Sequence, residues 1–113
     1  MRIAFAINED KGLDSLISER FGRAPYFLIV EVSNDFKIVN YEVVENPGAK
    51  VMGGAASKAS QLLASKSVSA VVAGNFGPHA MSVLPALNIK AIALPPSIKV
   101  KDAISRLREL LSK

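Results

Sequence analysis

Hydrophobic residues recur along this chain in two rhythms, one that suits strands and one that suits helices. Residues 2–8 (Arg2-Ile3-Ala4-Phe5-Ala6-Ile7-Asn8) form a nearly unbroken apolar run, bounded by the turn-rich stretch 9–25. A run so brief predicts a buried strand. Pro25 closes the turn-rich stretch, and 26–32 is aromatic and β-branched, as strands prefer. Ser33-Asn34-Asp35 is a tight polar turn, after which 36–44 resumes a strand pattern through Phe36, Ile38, Val39, Tyr41 and Val43. Two strands joined by so short a turn must run antiparallel, so 26–44 reads as a hairpin.

Asn46-Pro47-Gly48 ends that strand, and the rhythm changes. Between Gly54 and Lys66 the residues Ala55, Ala59, Leu62 and Leu63 recur at helical spacing, and the many alanines and serines predict close packing on a sheet. Residues 69–73 (Ser-Ala-Val-Val-Ala) are short, apolar and stopped by Gly74, the pattern of a buried strand in a parallel sheet. Gly77-Pro78 opens a second helix, since proline suits a first turn, and Pro85 should kink or shorten it. Residues 90–94 predict a further strand, halted by Pro95-Pro96. Finally, Val100, Ala103, Ile104, Leu107 and Leu111 make one apolar helical face, with Ser97 as a candidate cap.

The order is therefore β-β-β-α-β-α-β-α. Alternation in the second half demands parallel strands with right-handed crossovers, while the first half supplies an antiparallel meander. The expectation is an α/β fold: a mixed five-stranded sheet with helices on both faces, a ribonuclease H-like arrangement spanning 1–113 as one domain.

Composition narrows the chemistry. The chain has no cysteine, so it supplies no disulfide and no thiolate for zinc or an iron–sulfur cluster. Fourteen Lys/Arg against ten Asp/Glu give a net charge of +4. The basic residues are scattered without aromatic interleaving, unlike the stripe that nucleic acid demands. An anionic small ligand uses such an excess more economically, so nucleic acid is not an expected partner. The first apolar run meets Glu9 and Asp10 and is too short for a signal peptide. No run approaches the ~20 residues of a membrane span, so no membrane partner and a cytoplasmic location are expected.

In such a sheet ligands bind beyond the carboxyl ends of the first and fourth strands. Two loops emerge there, 8–25 and 74–79. The second reads Gly74-Asn75-Phe76-Gly77-Pro78-His79. Its glycines allow close backbone approach, and the following helix start offers unpaired N–H groups, an anion-binding arrangement. The alternative is a tight turn serving only the fold. His79 is the only histidine; it reads either as a metal ligand or as an exposed first-turn residue. Asp10 and Asp14 would join it only if the first loop folded back. In that loop Arg20 and Arg23 flank Phe21-Gly22 and suit bidentate binding of phosphate or carboxylate, or are ordinary surface arginines beside a buried Phe21. With Asn8 at the end of the first strand, the candidate binding set is Asn8, Arg20, Gly22, Arg23, Gly74, Asn75, Phe76, Gly77 and His79. Met52 and Met81 read as core fillers rather than soft ligands. Two-metal hydrolysis needs several carboxylates at the strand ends. Here the first strand ends at Asn8 and the fourth at Gly74-Asn75, so a nucleic-acid hydrolase is the weaker reading and a binding protein the stronger.

Residues 18–30 (SERFGRAPYFLIV) resemble the "FGRAPYF" stretch of the dinitrogenase iron–molybdenum cofactor biosynthesis family. Residues 71–80 (VVAGNFGPHA) resemble its "VVAGxxGPxA" stretch, and Asn46-Pro47 and Gly53-Gly54 fall in matching places. The resemblance covers nearly the whole chain. It implies a ribonuclease H-like, nitrogenase accessory factor-like domain that binds or carries iron–sulfur or iron–molybdenum cluster precursors without catalysis. It also implies partner proteins that donate or receive the cluster. No cofactor is required for folding on this reading. The chain departs from the family pattern at Arg20, where histidine is frequent, and in having no cysteine. Electrostatic holding of an anionic cluster by Arg20, Arg23 and the 74–79 backbone is the expected mode. A regulatory module sensing an anionic metabolite would use the same loops.

Overall fold

The side chains of Ile3, Ala4, Phe5, Ala6 and Ile7 are all withdrawn from solvent, which a strand achieves only when neighbours cover both its edges and both its faces. In the computed structural model, which describes residues 1–111, this strand β1 (Arg2–Ile7) is the centre of a five-stranded sheet. β2 (Tyr26–Val32) and β3 (Ile38–Glu45) continue from it as an antiparallel meander. On its other edge β4 (Ala70–Ala73) and then β5 (Lys90–Ala93) run parallel. The strand order is β3-β2-β1-β4-β5.

Alternation along β1 divides the core into two layers. Ala4 and Ala6 face a cluster with Phe27, Ile29, Val71 and Ala73, covered by α1 (Ala55–Ser65) and α2 (Pro78–Ala86). Ile3, Phe5 and Ile7 face the opposite cluster, covered by α3 (Val100–Leu111) through Val100, Ala103, Ile104 and Leu107. Helices therefore lie on both faces of a mixed sheet, as the sequence predicts. Leu111 closes α3, but its side chain lies outside the described residues.

Three local expectations need correction. The third strand begins at Ile38, not 36, because Phe36 adopts φ +61° inside the turn. The register then slips between Glu31 and Val32, which leaves Val39 as the extra residue of a bulge. Ser97 does not cap α3. The helix starts at Val100, whose N–H donates to the Ser15 carbonyl at 2.9 Å. Pro85, by contrast, does as expected: α2 ends at Ala86, since proline offers no N–H to the preceding turn. Met52 and Met81 are not core fillers: Met52 is fully exposed in the loop before α1, and Met81 is 51% exposed on the outer side of α2.

Candidate anion-binding site

The loop after β1 is stitched to the loop after β4. Ser18 donates its N–H to the Ala6 carbonyl at 2.6 Å and accepts the Gly74 N–H at 2.8 Å, while its hydroxyl donates to Asn8 Oδ1 at 2.9 Å. Phe21 donates its N–H to the Asn75 carbonyl at 3.2 Å, and Arg20 and Asn75 form a parallel bridge. Gly74 is required by this contact, because a Cβ there would lie 3.0 Å from Glu19 Cα. The Phe21 ring is buried between Phe27 (centroids 5.6 Å apart) and Phe76 (5.4 Å). With Phe21 anchored, Arg20, Gly22 and Arg23 are presented at the sheet edge.

A buried amide fixes the rest of this loop. Asn46 is only 1% exposed. Its Nδ2 donates to the carbonyls of Ala24 (2.8 Å), Phe21 (3.3 Å) and Gly22 (3.3 Å), and its Oδ1 accepts the Gly48 N–H at 2.9 Å. Gly48 leaves no room for a side chain, since a Cβ would meet the Ala55 carbonyl oxygen at 2.4 Å. The start of α1 is thereby drawn against the arginine loop.

These segments enclose an open cavity of about 580 Å³. One wall is Arg20–Arg23; another is Asn75 and the first turn of α2 from Gly77 to Ala80; a third is Ala55 and Ala56. Two helices thus begin in one cavity. Neither has a side-chain cap, at Gly54 or Gly77, and neither has an acidic residue in its first turn. Uncapped helix starts carry orphan N–H donors and partial positive charge. The Arg20 side chain has no hydrogen-bond or ion-pair partner among the described residues. Arg23 is committed differently: its guanidinium donates to the carbonyls of Gly48 (3.4 Å), Val51 and Met52 (3.4 Å).

Of the residues singled out in the sequence, Arg20, Gly22, Arg23, Asn75, Gly77 and His79 line the cavity. Asn8, Gly74 and Phe76 do not. Asn8 borders a separate hollow of about 150 Å³ with Glu9, Lys11 and Leu16, Gly74 serves the loop contact, and Phe76 supports Phe21. Asp10 and Asp14 do not converge on His79. Asp10 accepts the Gly12 N–H. Asp14 binds Lys101 Nζ at 2.9 Å and Lys99 Nζ at 3.8 Å beside the start of α3. The hydrogen bond and charge of Lys101, then the charge of Lys99, hold the Asp14 carboxyl below its ordinary range. Among the described residues no three His, Cys, Asp or Glu are grouped to hold a metal ion. His79 is therefore a lone imidazole in a wall built of hydrogen-bond donors. Asn46, Ala55 and Ala56 escaped the sequence reading; the paired Gly53-Gly54 before an acid-free helix start was the available signal.

A sheet-edge cavity bordered by two helix starts and by Arg20 and Arg23 is the candidate site of this α/β protein. The chain belongs to the dinitrogenase iron-molybdenum cofactor family, whose model matches residues 1–110. It is 36% identical over 89 residues to an uncharacterised protein of Methanocaldococcus jannaschii, covering 79% of this chain and 70% of that one. The apo form of the orange protein from Desulfovibrio gigas superposes with a TM-score of 0.86 at 31% identity, over 96% of this chain and 87% of the other. The NMR structure of a Thermotoga protein, described as a NifB candidate of the DUF35 family, gives 0.76 at 34% identity, over 96% and 87%. No helix among the described residues is long and apolar enough to cross a membrane.

Proposed function

We propose that this chain is a non-catalytic carrier of an anionic metal cofactor, an iron–sulfur or iron–molybdenum cluster precursor, held in the cavity between Arg20 and the starts of α1 and α2. The observation that carries the reading is the convergence of two uncapped, acid-free helix starts with an unpartnered arginine on one cavity. Each favours negative charge by a separate route: charge-assisted hydrogen bonding from the guanidinium, and oriented N–H dipoles from each helix. The sulfide and oxo groups on the surface of a cluster accept such donors, so cargo is held intact by its periphery. The family description supports the metal identity of the cargo. The strand order, with a meander feeding two parallel crossovers, supports a ribonuclease H-like assignment of the fold. Proteins that donate or receive the cluster complete the role.

The test is anaerobic reconstitution with iron, sulfide and molybdate, followed by metal analysis and absorption spectroscopy. Losing one charged hydrogen-bond partner costs about 1.5–3 kcal/mol, one to two decades of affinity. Arg20→Ala is expected to weaken cluster binding by that amount while the fold persists. His79→Ala separates the modes: unchanged absorption bands mean peripheral holding, and shifted bands with lost affinity mean imidazole ligation. If both variants bind like the parent, the assignment of this cavity is wrong.

A further inference from the structure

Acidic residues are unevenly placed in this chain: none lies between Glu45 and Asp102. That interval contains α1, β4, α2 and β5, so the two helices that cover one sheet face contain no carboxylate side chain. Beside the cavity the outer surface of α2 is also largely apolar, whereas α1 exposes Lys58, Gln61 and Ser65. α2 has no Lys, Arg, Asp or Glu, and Pro78, Met81, Ser82 and Pro85 follow at helical spacing on its exposed side. Met81 is 51% exposed, and Met52, three residues before the cavity-lining Ala55, is entirely so. Arg20 lines the cavity at the end of this strip and Lys58 is exposed on α1, and neither has an ion-pair partner among the described residues.

We infer that this face docks a partner protein whose complementary surface is apolar at its centre and acidic at its rim. The inference deepens the carrier reading and rests on it, because cargo enters and leaves through the mouth that this face surrounds. Charge selects the occupant. In a two-fold pair of these chains, isologous contact would set this face, with Arg20 and Lys58, against the same cationic face of the other copy, like against like. Nucleic acid binds through a dense row of cations, and two cations around an apolar strip do not make one. A membrane-surface helix carries aromatic and leucine anchors beneath many lysines; the exposed side of α2 has neither, its one leucine, Leu84, being buried. An apolar centre with a rim of one sign is the anatomy of a protein interface.

The experiment follows backbone amide shifts of the full isotopically labelled chain at low salt with three probes. They are an amphipathic leucine/glutamate helical peptide, a single-stranded DNA oligonucleotide and phosphatidylglycerol vesicles. The peptide is expected to shift the amides of 52–58 and 79–86, with an affinity that falls as salt rises. Lys58→Gln and Met81→Gln, both exposed, shown folded by their own spectra and adding no acid to either helix start, should each weaken it at least about threefold. Both should bind phosphate or cluster in the cavity like the parent, since neither lines it. The inference is overturned if the peptide leaves these amides unmoved, if DNA or vesicles move them instead, or if they shift with chain concentration alone. It is equally overturned if both variants bind the peptide as the parent does. Failure of cavity binding with the peptide still docking at this face sinks the carrier reading and leaves the surface standing; the reverse result sinks the surface and spares the carrier.

Discussion

Asn46 and Ser60 are both buried polar side chains, and they sit in opposite circumstances. Every polar atom of the Asn46 amide is engaged, and its partners are the carbonyls that shape the arginine loop. Ser60 Oγ, inside α1, has no hydrogen-bond partner among the described residues. Removing the amide strands several buried groups, whereas removing the hydroxyl relieves one already stranded. Asn46→Ala is expected to lose about 2–4 kcal/mol in urea unfolding, and Ser60→Ala to be neutral or slightly stabilising. An Asn46→Ala protein as stable as the parent would remove this residue from its positioning role. The same contrast marks how far residue identity reads out in sequence. Arg20 and His79 announce chemistry by type. Asn46 looks like a strand-ending turn residue, and only the fold shows that its amide points back across the loop 21–24.

At the scale of elements, strands and helices were legible where burial is one-sided or complete. The run at β1, the hairpin and the apolar face of α3 all follow from spacing alone. The ends were less so. Phe36 has strand chemistry but lies in the turn, because left-handed backbone at that position completes it. Ser97 resembles a cap, yet the start of α3 is set three residues later by the pairing of Leu16 with Lys99 and by the Ser15 carbonyl. The part of the cavity contributed by α1 was hidden for a related reason: Ala55 and Ala56 line it with methyl groups and backbone and have no chemistry of their own. Around α3 the ion pairs of Asp14 give a pH signature. Its carboxyl is held below its ordinary value in the folded chain. The stabilisation is thus present above the unfolded value and is lost as acid protonates the folded group, below about pH 4. Asp14→Asn should therefore show a shallower fall in stability from pH 4 downward than the parent, read from thermal midpoints across that range. An unchanged slope would mean that these exposed pairs contribute nothing measurable.

For the whole molecule, the absence of acid between Glu45 and Asp102 reaches beyond docking. Residues 1–45 contain five basic and eight acidic side chains, net −3, and residues 46–113 contain nine and two, net +7. The chain is a two-block polyampholyte. Its blocks meet along the parallel pairing of β1 with β4, where Ile3 lies opposite Ala70, a closure that spans more than half of the sequence. Forming such a distant pair carries a large loop entropy and belongs among the slow steps of folding. Attraction between oppositely charged blocks lowers that barrier by concentrating one half around the other, and dissolved salt screens it. A uniformly charged chain of net +4 behaves the other way, because salt relieves its self-repulsion. Stopped-flow refolding in rising sodium chloride separates the two by sign alone: this chain should fold more slowly as salt is added at the dilute end of the range. The face that offers an acidic partner a landing place is also the half that first finds its own acidic half.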